Sequence, residues 1–100
     1  MRNKPLLPTW CIFMAYEEER TKERILKDIK LFYESYNKMK PLGLAKDAER
    51  VIELSEMYAR DAESYLGKGD LYTAFSCISY AHGLLDAVKE MSGAGIEKDL

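Results

Sequence analysis

His82 and Asp86 stand one helical turn apart, a spacing at which an imidazole and a carboxylate can meet on one helix face. Such a pair is the arrangement of a general base oriented by an acid, and His82 is the only histidine in the chain. Ser79 completes a Ser/His/Asp set by residue type alone. A hydrolase relay, however, needs these groups to converge beside an oxyanion site, and here all three fall on one straight helix. A metal would need further ligands. Only Asp61, Glu56 or Glu90 could join His82 and Asp86, and no HExxH, paired ExxH or CxxC occurs. The chemistry reduces to one candidate polar site, His82, Asp86 and Tyr80. No catalytic residue, metal or cofactor is assigned, and a structural hydrogen bond is the competing role for His82.

Those residues need a scaffold, and apolar spacing supplies one. A first helix is expected from about Tyr16 to Met39, with Ile25, Ile29, Phe32, Tyr33 and Tyr36 three or four residues apart on one face. Pro41 and Gly43 end it. A second helix is expected from about Leu44 to Leu66, with a seam of Ala48, Val51, Ser55, Tyr58, Ala62 and Tyr65. Its charged residues, Glu56 and Arg60 among them, read as a solvated face. Gly67-Lys68-Gly69-Asp70 then makes a tight turn: Gly67 would end the helix in a left-handed conformation, and Asp70 would cap the next.

The third helix, about Asp70 to Met91, is the unusual one. Leu71, Ala74, Phe75, Ile78, Ala81, Leu85 and Val88 form its main stripe, while Cys77, Tyr80, Leu84 and Met91 carry apolar surface further round. A helix apolar over most of its girth calls for burial on more than one side; two neighbours within the chain would suffice, and a partner subunit is the natural alternative. Gly83 costs about 1 kcal/mol relative to alanine in mid-helix. With Ser76 and Ser79 it forms a candidate interaction strip suited to close approach by another helix.

Short links force antiparallel neighbours. The expected fold is all-α, an antiparallel up-down-up three-helix bundle over residues 16–92. A loosely ordered N-terminal arm (1–15) precedes it and a frayed tail (93–100) follows. Met14 offers an alternative start, which would make residues 1–13 an upstream extension.

Composition narrows the function classes. A net charge of −2 gives no bulk attraction to nucleic acid or anionic lipid. The apolar run Leu6–Ala15 is too short to span a bilayer, so no membrane role is expected. Two cysteines outside any CxxC point to a reduced, cytoplasmic setting. Abundant Lys and Glu with few amides fit a heat-adapted source. Seven tyrosines would allow a base-stacking platform, although tyrosine in a helical stripe is more often core with its hydroxyl at the rim.

Tyr58-x3-Ala62-x2-Tyr65, Gly69-Asp70 and Ala74-x3-Ile78-x2-Ala81 are similar to one tetratricopeptide hairpin. No second copy occurs, so a solenoid is not expected. The longer stretch from Ala48 to Met91 resembles the archaeal domain of unknown function 357. That resemblance is carried by Gly69-Asp70 and by Tyr80-Ala81-His82-Gly83-x-Leu85-Asp86-Ala87. It implies a small all-helical protein and no particular activity. The hairpin is also reminiscent of nucleotide-binding helical domains of toxin systems, whose ribonucleases carry an Arg four to six residues before a His. Ser76 to Ala81 contain none, which argues against nuclease activity. The expected function is therefore non-catalytic: a protein-interaction or self-association module, a homo-oligomer or bound to another protein. A nucleotide- or RNA-associated helical domain is the alternative, and a metal-dependent enzyme ranks below it.

Overall fold

A glycine with positive φ marks each place where the chain reverses. The computed structural model describes residues 9–92, so the tail at 93–100 and the first eight residues lie outside them. Helix α1 spans Thr9–Met39, α2 spans Lys46–Gly67 and α3 spans Leu71–Ser92. A short 3-10 turn, Lys40–Leu42, follows α1, and Gly43 (φ 67°) turns the chain toward α2. Among the described residues there is no strand. The fold is an up-down-up three-helix bundle.

The second reversal assigns its two glycines different roles from those expected. Gly67 is the last residue of α2, and Gly69 (φ 83°) adopts the left-handed conformation. The Gly69 amide donates to the Leu66 carbonyl at 3.0 Å, and the Asp70 amide donates to the Tyr65 carbonyl at 2.9 Å. Two carbonyls that the end of α2 would leave unpartnered are thereby satisfied. Asp70 opens α3 as expected, its Oδ1 accepting from the Thr73 amide at 3.1 Å.

Small residues set how the helices meet. Ser55, Ala59 and Ala62 of α2 and Ala74 and Ala81 of α3 are fully buried, and α2 and α3 form the most extensive contact in the bundle. Side chains this short let two backbones approach closely. The larger volume comes from Ile78 and Leu85 of α3 and from Ile25, Ile29, Phe32, Tyr36 and Met39 of α1. Burying a side chain such as Phe32 contributes about 1.5–3 kcal/mol relative to leaving it wet. Ser55 is tolerated in this core because its hydroxyl donates to the Ile52 carbonyl at 2.6 Å.

Two details differ from the sequence expectation. Helix α1 already includes Thr9, about two turns before Tyr16. Phe75, placed in the main α3 stripe, is 43% exposed. It sits at the edge of the stripe beside Glu17, Thr21 and Arg24 of α1 rather than under them.

Candidate functional site

His82 faces α1. Its Nε2 lies 2.8 Å from the carbonyl oxygen of Asp28. A carbonyl only accepts, so Nε2 carries the proton and donates it. The imidazole edge meets the Phe32 ring, with centroids 5.7 Å apart at 89°. Two turns on, Lys89 donates from Nζ to Ser35 Oγ at 3.1 Å. Both contacts join residues 54 apart, so α1 and α3 run parallel in one fixed register along this seam.

The residues of the expected polar site diverge around α3. Asp86 is exposed and has Lys89 Nζ at 3.9 Å, a long surface ion pair. Tyr80 leans the other way, toward α2, with its ring 4.6 Å from that of Tyr58 at 74°. Asp86 therefore does not orient His82, whose donor is already committed to a backbone carbonyl. Ser79 is exposed, and among the described residues no nucleophile contacts the imidazole. Nor does any group of three or more His, Cys, Asp and Glu side chains among them stand where it could hold a metal ion.

The interaction strip lies on the outward side of α3. Ser76, Ser79 and Gly83 are all exposed, and a Cβ added at Gly83 would meet no atom within 4 Å. Among the described residues, nothing approaches that backbone. Gly67, Gly69 and Asp70 form the hairpin, as described above.

A second polar cluster, between α1 and α2, was hidden in the sequence. Lys40 Nζ donates to the Tyr36 hydroxyl at 3.4 Å, and that hydroxyl donates to Glu56 Oε1 at 3.3 Å. Arg60 holds the other oxygen of Glu56, with Nη2 at 3.0 Å and Nε at 3.2 Å. Burial pushes the Tyr33 hydroxyl up from its ordinary pKa, and the charges of Glu63 and Glu56 add to the shift. Glu56 and Arg60 are thus partners of the α1 tyrosines rather than a purely solvated face. The available signal was two i, i+3 and i, i+4 pairs, Tyr33 with Tyr36 and Glu56 with Arg60, set on facing helices. The cluster latches α1 to α2 through the Tyr36–Glu56 hydrogen bond.

Cys77 is half-buried; burial raises its thiol pKa, and the Asp61 and Asp70 charges raise it further. Such a thiol is a poor nucleophile at neutral pH. No described helix is long and apolar enough to cross a membrane.

No curated protein matches the chain. The model of one family, described as protein of unknown function (DUF357), matches residues 27–93, which takes in the C-terminal part of α1 and the whole of the α2–α3 hairpin. With more than half of its length matched, the chain belongs to the DUF357 family.

Proposed function

We propose that this protein is a non-catalytic interaction module that binds a protein partner through the outward face of α3. One observation carries the reading. From Leu71 to Leu85 there is no Asp, Glu, Lys or Arg, yet Tyr72 is 84% and Tyr80 51% exposed on that stretch. A water-facing helix surface ordinarily carries charged residues, and an uncharged one rich in aromatics fits a contact surface. Gly83 supports the same reading, because among the described residues no close packing offsets its helix-weakening effect. The half-buried free thiol of Cys77 suits a reducing, cytoplasmic setting.

The test is a comparison of captured proteins. Tagged wild-type protein and a Tyr72→Glu/Ser79→Lys variant are used as baits in extract of the source organism. The expected result is a companion retained by the wild type and lost by the variant, with the helical circular dichroism of the two baits unchanged. Identical captured sets would overturn the reading.

A further inference from the structure

Helix α2 turns Ile52, Ser55, Ala59 and Ala62 toward the bundle. On its opposite side Arg50, Leu54, Met57 and Asp61 follow one another at intervals of four, three and four residues. That spacing makes one continuous stripe along a helix. All four side chains are exposed, Met57 at 61%. The stripe reads cation, apolar, apolar, anion, and its two halves are complementary.

Part of the bundle's charge is already paired within it. Arg20, Arg24, Arg60 and Lys89 each have a carboxylate within 4 Å in the chain. Arg50 and Asp61 have no such partner among the described residues.

We propose that two copies of this chain pair antiparallel through this stripe about a two-fold axis. Leu54 of each copy meets Met57 of the other, and Arg50 of each meets Asp61 of the other. Both pairings share one midpoint, between Ser55 and Glu56, so a single rotation satisfies all four contacts. A two-fold interface must be self-complementary in this way, which a stripe made for an unrelated partner need not be. A shallow groove lined by Asp47, Arg50, Val51, Glu53, Leu54 and Met57 lies open beside the stripe and offers room for the opposing Met57. Antiparallel helix axes also set opposite macrodipole ends side by side.

This association rests on the general reading of the chain as an interaction module, but it uses α2 rather than α3 and is tested on different residues. A contact confined to one helix pair falls at the small end of specific interfaces, so sedimentation equilibrium should run from about 10 μM to about 1 mM. The expected result is a monomer–dimer equilibrium that weakens as salt is raised. Arg50→Asp alone, or Asp61→Arg alone, replaces attraction with repulsion twice per dimer and should raise the dissociation constant about tenfold. The double variant Arg50→Asp/Asp61→Arg should restore it, because each new charge again faces its opposite. Both positions are exposed, so helical content should be unchanged in all three variants. A wild type that stays monomeric throughout the range overturns the proposal, as does a double variant no tighter than the singles. Dimerisation abolished by Tyr72→Glu/Ser79→Lys but indifferent to the α2 charges would overturn it too, while leaving the α3 reading in place.

Discussion

His82 shows how one side chain can carry the sequence signature of chemistry and spend it on architecture. Its spacing to Asp86 fits a base and its orienting acid, but the ring instead bridges to the Asp28 carbonyl and lies edge-on to Phe32. The two residues should therefore respond differently to truncation. His82→Ala leaves a gap in the α1–α3 seam and should cost about 1–2 kcal/mol, read as a lower midpoint in thermal or urea unfolding. Asp86→Ala removes an exposed ion-pair partner and should change stability by less than about 0.5 kcal/mol. Equal losses at the two positions would mean that they act as a pair after all. The acceptor was not legible in the sequence: a backbone carbonyl has no residue type, and this one lies 54 positions away. The candidate strip was legible only as composition. Ser76, Ser79 and Gly83 are small whatever they face, and the exposure that gives them meaning comes from the packing of the other two helices.

Among the elements, the α2–α3 hairpin is the best determined, and its two glycines are separable by experiment. Gly69 has φ 83°, where a Cβ is strained, so Gly69→Ala should destabilise by about 1–2 kcal/mol. Gly67 is helical and has open space around its missing Cβ, so Gly67→Ala should be neutral or stabilising by up to about 1 kcal/mol. Chemical denaturation of the two variants checks the pair, and a reversed order would return the left-handed role to Gly67. The hairpin itself was plain from Gly67-Lys68-Gly69-Asp70 between two apolar periodicities. Which glycine ends the helix was not, since two candidates two residues apart offer the same chemistry and only the paired carbonyls of Tyr65 and Leu66 decide. The α1 stripe was read closely, because Ile25, Ile29, Phe32 and Tyr36 repeat at three and four residues and all are buried. Phe75 misled because an aromatic at the border of a wide apolar arc has no sequence mark telling edge from centre.

For the molecule as a whole, the three helices are unequal partners. Helix α1 is about 46 Å long against about 33 Å for the other two, at 1.5 Å per residue, and among its described side chains the first buried in the core is Ile25. The turns before it project with Ile12, Met14 and Tyr16 more than half exposed. Amide hydrogen exchange should therefore be graded. Residues 9–20 should exchange fastest, residues 25–39 more slowly, and the facing centres of α2 and α3 slowest of all. Uniform protection along α1 would show that something covers its first turns. The parallel seam has one more effect. The α1 stripe is nearly periodic, so its greasy side chains alone would accept a shift of one turn along the hairpin with little complaint. His82 and Lys89 grip α1 at two points seven residues apart, Asp28 and Ser35, and such a slide would carry Ser35 out of reach and leave Leu31, which has no hydroxyl to offer, in its place. The two polar teeth work as a key cut for a single lock position, denying α1 the freedom to creep that an oily contact by itself would grant.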